Sequence, residues 1–272
     1  MYYDYLKNQY NDLSKLKSNQ KFIMSGDSNL EDYCYSDNNI SPKALRTNLL
    51  PQQIIGDLHR GKIYICSLNP GYGSDDEIIE DEKLAEKNGF PYYKEKILNE
   101  FLQGEKSERK NHFFIAEQMK KSGGAKWWRG KLHQRDSNSS LVQAIINEYE
   151  QNGIIVDEEM VFSFLSKLIV SLELFPYHSK QMDKTLLKNC ESVEKIKEYV
   201  HNELIPNAKK NNQIVIFTRS IKEWNVSDEE KNMKNVVLCN TNPRCITFNV
   251  KKCMGKFILD YIRQYTNNFS DL

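Results

Sequence analysis

Apolar positions along the chain follow two rhythms. Steps of three and four residues join Tyr3, Leu6, Tyr10, Leu13 and Leu16 into one helical face over about residues 1–22. Similar spacing predicts helices over 141–149, 158–167, 191–209 and 250–265. Between them lie short, almost wholly apolar runs of strand length. These are Ile63–Leu68, the run from Leu168 to Pro176, Gln213–Thr218 and Asn235–Asn240. Continuous apolar runs predict strands buried on both faces, and their alternation with helices predicts an α/β fold. The expected architecture is a three-layer α/β/α arrangement around a central, mainly parallel four-stranded sheet.

Residues 25–52 break the pattern with Gly26, Asp27, Asn29, Ser36 to Asn39, Ser41-Pro42 and Pro51, and read as a loop-rich lead-in with one helical turn near 43–50. The expected organisation is therefore a helical and loop extension over 1–55, packing on a main domain over 56–272 that carries an insertion at about 77–140. A short helix is expected to open at Arg219 to Trp224.

The way the strands stop carries the chemistry. Ile63–Leu68 runs into Asn69-Pro70-Gly71-Tyr72-Gly73, where proline fixes φ and removes a donor and glycine permits a sharp turn. Asn69 is left at the carboxyl end of the strand, the end at which open α/β sheets bind ligands. Ser74-Asp75-Asp76-Glu77 reads as a helix start with a capping box, so Asp75 and Asp76 serve either as acids at the helix's positive end or as a general base. Glu173 stands between Leu172 and Leu174 in an apolar run. A carboxylate there requires a partner or a ligand.

Lys and Arg total 38 against 37 Asp and Glu, so a nucleic-acid surface can only be a local patch. The run from Lys120 to Lys131 is a candidate. Lys126, Trp128 and Arg129 suit phosphates and unstacked bases, while a helix with two core tryptophans would read the same way. The six cysteines show no Cys-x-x-Cys pair, from which reduced thiols are expected, with no metal and no cofactor. Met1 to Lys7 lack the apolar core of a signal peptide and no run approaches membrane-spanning length, which favours a cytoplasmic monomer with no membrane partner.

Three strand ends, Leu68-Asn-Pro-Gly71, Glu173-Leu-Phe-Pro-Tyr-His-Ser179 and Asn240-Thr-Asn-Pro-Arg244, together resemble the uracil-DNA glycosylase superfamily. The first and last are most similar to its mismatch-specific uracil/thymine branch, in which a strand ends in Gly-Ile-Asn-Pro-Gly and a late strand ends in Asn-Pro-Ser-Gly-Leu-Ser. Arg244-Cys-Ile departs from the late motif, and Pro176-Tyr-His-Ser179 is not a motif of that branch.

The resemblance implies a monofunctional, metal-independent DNA glycosylase acting on a base flipped from duplex or single-stranded DNA. Asn69 would hold the attacking water, with Asp75 as a possible base and His178 donating to the leaving base. Leu68, Pro70, Gly71 and Tyr72 would surround that base, Tyr92 would stack on it, and Glu173 and Asn242 would complete its pocket. Pro243 and Arg244 would grip DNA beside Lys126, Trp128 and Arg129. Gly71 stands where uracil-specific members carry a bulky tyrosine, and Glu173 accepts from an amino group such as the N4 of cytosine. A C5-modified or mismatched base, as in foreign or phage DNA, is therefore expected. The rival readings are a non-catalytic nucleic-acid-binding protein and a hydrolase of free nucleotides or nucleosides.

Overall fold

The computed structural model describes residues 2–16, 21–71, 123–133, 139–239 and 247–265. It is an α/β protein built on a five-stranded sheet of order β1-β3-β2-β4-β5. The strands are β1 (Ile54–Ile55), β2 (Ile63–Ser67), β3 (Ile169–Glu173), β4 (Ile214–Phe217) and β5 (Val236–Leu238). β2 pairs parallel with β4 and β4 with β5, Ile63 facing Ile214 and Val215 facing Val236. β3 joins β2 in the same sense, since Lys62 N–H donates to Leu168 and Leu174 N–H donates to Ser67. β1 runs the other way along β3. As the chain advances from Gln52 to Gln53, its bonds step back from Pro176 to Glu173.

The sheet is thus mixed and five-stranded, where periodicity predicts four mainly parallel strands. β1 escapes prediction because two residues give no periodic signal, and its segment has the composition of a loop. Gly56 follows it at φ +113°, where a Cβ would stand 2.7 Å from the Ile169 carbonyl oxygen, so this edge closes only around glycine.

Eight α-helical segments are described: α1 (Tyr2–Ser14), α2 (Gly123–Leu132), α3 (Leu141–Gln151), α4 (Glu158–Leu168), α5 (Glu191–Tyr199), α6 (Ile205–Ala208), α7 (Asp228–Lys231) and α8 (Cys253–Tyr265). Ser140 caps α3 by accepting from Gln143 N–H, and Asp157 caps α4 by accepting from Met160 N–H. α4 passes straight into β3: Ile169 donates back to Leu165 and then turns extended, so Leu168 closes the helix and does not open the strand. The helix predicted over 191–209 is divided by a π-helical turn at Val200–Leu204, just before Pro206, which has no N–H for a helical bond. α7 begins at the Ser227–Glu230 capping box, downstream of the predicted 219–224 helix, which is a turn.

The described residues fall into two compact units, taken from within Met1–Ile54, Ser67–Glu108 and Leu172–Leu204 for the first, and Ile55–Cys66, Arg109–Ser171 and Ile205–Leu272 for the second. In the second, Ile63, Ile65, Ile169, Ile214, Ile216 and Val237 share one apolar cluster with the inward faces of α3, α4 and α8. In the first, α1 buries Tyr2, Leu6, Gln9, Tyr10 and Leu13, a stripe turned slightly from the predicted one, with Tyr2 in place of Tyr3. Tyr2 stacks on Tyr199 at 4.9 Å, and Tyr10 Oη donates to the Pro51 carbonyl. A 3₁₀ helix over Ser25–Tyr33 orders part of the stretch that its composition marks as loop.

Candidate active site at the strand ends

Asn69 follows β2 and is buried. Its side-chain NH₂ donates to the Pro70 carbonyl at 3.1 Å and to Ser179 Oγ at 3.3 Å. A carbonyl can only accept, so the Pro70 contact fixes which end of the amide is nitrogen. Oδ1 is then the acceptor atom of this side chain. Asn69 stands two residues beyond Ser67, the last residue of the central strand β2.

Ser179 reaches Asn69 because the chain continues alongside β2 beyond the strand. Leu174 N–H donates to Ser67 at 3.2 Å and Phe175 N–H to Leu68 at 2.8 Å, which sets Glu173 beside Ser67 in the parallel ladder. The other flank of this run is held by residues 46–53, through Gln52 N–H to Pro176 at 2.8 Å and Arg46 N–H to His178 at 2.9 Å. Pro176 therefore ends the strand without releasing the chain.

His178 lies within this clamp and is 9% exposed. Its Nδ1 stands 3.0 Å from the Gly71 carbonyl oxygen, which makes Nδ1 the protonated nitrogen of the neutral ring. Burial lowers the His178 pKa below the ordinary histidine value, against the pull of the Gly71 and Leu50 carbonyls. Nε2 is buried and makes no hydrogen bond to the described residues. The neutral ring thus presents a lone pair at Nε2; donation from that atom requires a proton that burial disfavours. Glu173, Leu68 and Pro70 are also buried, while Gly71 is exposed and a Cβ built on it meets nothing within 4 Å among the described residues.

A second polar cluster supports this segment, and nothing in the local sequence marks it. Asp27, fully buried, accepts from Tyr177 Oη at 2.8 Å and from Ser192 N–H at 3.2 Å at the start of α5. Tyr177 Oη in turn accepts from Met24 N–H at 3.0 Å. Burial raises the Asp27 pKa, opposed by its hydrogen bonds to Ser192 and Tyr177, and burial together with the nearby Asp27 pushes the Cys190 thiol up to about 12. Tyr177 adjoins His178 in sequence, so this network fixes the backbone that carries the imidazole. Asp27 reads as a turn residue beside Gly26; its long-range partners, Tyr177 and Ser192, are what give it a core position.

The basic and aromatic run is divided by its helix. Lys126 is exposed on α2, whereas Trp128 is buried edge-on to Trp127 at 5.0 Å and tilted against Phe248 at 5.7 Å. Arg129 makes a two-bond pair with Glu159, at 2.8 and 2.9 Å, and its guanidinium lies 4.2 Å from the centre of the Phe162 ring. Trp128 and Arg129 are thus engaged in packing, and their side chains are not offered outward as the sequence allows. Asp75, Tyr72, Tyr92, Asn242, Pro243 and Arg244 lie outside the described residues. Among the described residues no cluster of His, Cys, Asp or Glu has the form of a metal site, and no helix is long and apolar enough to cross a membrane.

Comparison with family models, with curated proteins and with solved structures finds no match in any of the three.

Proposed function

We propose that the chain is a DNA glycosylase of the uracil-DNA glycosylase type, with a three-layer α/β/α core, that releases a base bearing an exocyclic amino group. The observation that carries this reading is the Asn69 amide. It is buried just beyond the end of a parallel strand, and its NH₂ is held by Pro70 and Ser179, which fixes the side chain and makes Oδ1 its acceptor end. An acceptor in a fixed position orients a water for attack at C1′. The water oxygen bonds to C1′ and loses a proton, the glycosidic electrons leave with the base, and the base takes up a proton.

The choice of base follows from the same kind of reasoning. His178 Nε2 is an acceptor in the neutral ring, and the Glu173 carboxylate is an acceptor near the adjacent strand end. Such a pair suits an amino group better than the carbonyl of uracil or thymine. A Cβ built on Gly71 meets nothing within 4 Å among the described residues, which supports a substituent at C5. A cytosine carrying a C5 substituent fits all three features.

The test is incubation of wild type and Asn69→Ala with single- and double-stranded oligonucleotides bearing cytosine, C5-substituted cytosines, uracil or mismatched thymine, followed by alkaline cleavage of abasic sites. Release of a C5-substituted cytosine by wild type, and its loss in Asn69→Ala, is expected. Binding of these DNAs without any abasic site would refute the catalytic reading.

A further inference from the structure

The second unit holds a pair of neighbouring thiols. Cys239 follows β5, where its N–H donates to the Phe217 carbonyl at 2.9 Å, and it is 1% exposed. Cys253 is the first residue of α8 and is exposed. Both thiols are free, and their sulfurs lie 3.0 Å apart. Neither position is incidental. The first turn of α8 sits against the backbone of Asn249, so closely that a Cβ on Gly255 would stand 2.4 Å from the Asn249 carbonyl oxygen. Asn249 Oδ1 accepts from Lys251 N–H at 2.9 Å, and Val250 N–H donates to Ser139 at 2.8 Å, which holds the approach to the helix in place.

From this juxtaposition we propose that Cys239 and Cys253 are a redox modification site, closing to an intramolecular disulfide when a hydroperoxide reaches the exposed thiol. A shift of about 1 Å brings the sulfurs to disulfide distance. The two cysteines have unequal parts. Cys253 meets solvent at the first position of α8, so a hydroperoxide reaches its sulfur first. Cys239 is kept in the thiol form by burial and by its neighbour.

The Cys253 thiolate attacks a peroxide oxygen; the O–O bond breaks, leaving a sulfenic acid and a hydroxide that takes a proton to become water. The Cys239 sulfur then attacks the Cys253 sulfur, giving up its proton, and hydroxide departs as a second water. Overall two thiols lose two electrons and one hydrogen peroxide becomes two waters. A small-molecule dithiol reverses the bond by exchange. The resulting link ties the end of β5 to the start of α8 and does not depend on what the strand-end site binds.

The experiment uses the full chain, reduced, freed of reductant and treated with a small molar excess of hydrogen peroxide. Remaining thiols are then blocked and the protein is digested for mass spectrometry. A peptide joined through Cys239 and Cys253, lighter by two hydrogens than its two thiol parts and lost on treatment with dithiothreitol, is expected. Cys253→Ser, a substitution at an exposed position, abolishes it. In Cys239→Ala the sulfenic acid has no partner, and Cys253 proceeds to sulfinic acid. If Cys239→Ala does not fold, wild type and Cys253→Ser still decide. A bond from either cysteine to Cys245, a disulfide between two copies, or wild-type Cys253 oxidised to sulfinic acid beside an intact Cys239 thiol would each overturn the proposal.

Discussion

One face of the central strands and the segments beyond their carboxyl ends bury their residues for different reasons. Along the face, Ile63, Ile65, Ile214, Ile216 and Val237 pack in a continuous apolar cluster, none more than 7% exposed. At the carboxyl ends, Asn69, Glu173, His178 and Ser179 are buried almost as deeply, between 3% and 9% exposed, yet all are polar. An apolar side chain gains from any close packing, so its position is specified loosely and collectively. A buried polar group must find particular partners or weaken the fold, so its position is specified singly, as the Asn69 contacts with Pro70 and Ser179 illustrate. Such groups gather beyond the strand ends, whereas the apolar face holds none of them.

This contrast can be broken first at its apolar side. Ile65→Ala should cost about 2–5 kcal/mol in urea unfolding while leaving any base release per folded molecule unchanged. Loss of release without loss of stability would show that the apolar face and the strand-end segments are not separate in role. Asn69→Ala should do the reverse. It is expected to lower base release on the order of 100-fold and to cost only about 1 kcal/mol of stability, measured by single-turnover assay and by urea titration.

A smaller effect sharpens the comparison through pH. The His178 pKa is lowered by folding, so below about pH 6.5 the unfolded chain binds more protons than the native one, and stability falls as pH falls. The slope is at most about 1.4 kcal/mol per pH unit for one group. His178→Asn, whose NH₂ can still donate to Gly71, should flatten the unfolding curve between roughly pH 7.5 and 5.5 relative to wild type. An unchanged difference between those two pH values would mean that His178 takes up its proton as readily in the fold as in the unfolded chain. Asp27 acts with the opposite sign: its pKa is raised, so stability from this group is present at low pH and falls as pH rises through its folded pKa. Comparing wild type with a His178 variant cancels that contribution.

The smallest expected effects concern α2. Arg129→Ala should cost about 1 kcal/mol, through its contacts with Glu159 and Phe162, and leave DNA affinity little changed. Lys126→Ala should leave stability within about 0.5 kcal/mol. If this face meets phosphates, the same substitution should reduce the salt dependence of DNA binding, as measured by fluorescence anisotropy.

Much of the scaffold is legible in the chain because its signals are local. The runs at Ile63, Leu168, Gln213 and Asn235 announce β2 to β5, and the three- and four-residue steps announce α1, α3, α4, α5 and α8, with Pro206 accounting for the break that follows α5. Asn69 stands out because proline and glycine follow a buried strand, a sequence signature with a direct steric meaning. β1 does not stand out, since two residues have no period. Trp128 and Arg129 are ambiguous because a cation beside an aromatic reads alike on a nucleic-acid surface and in a helix flank; only the positions of Phe248, Glu159 and Phe162 separate the two.

The alternation of strand and helix and the abrupt stop after Leu68 are thus written locally, as consequences of sterics and periodicity within a few residues. Folding alone settles which distant polar atoms meet: Asn69 with Ser179, His178 with Gly71, Asp27 with Tyr177 and Ser192, Cys239 with Cys253. A hydrogen bond across a hundred residues leaves no trace in the spacing of either partner. Its geometry is set by how the backbone between them is packed, and the chemistry of the site begins there.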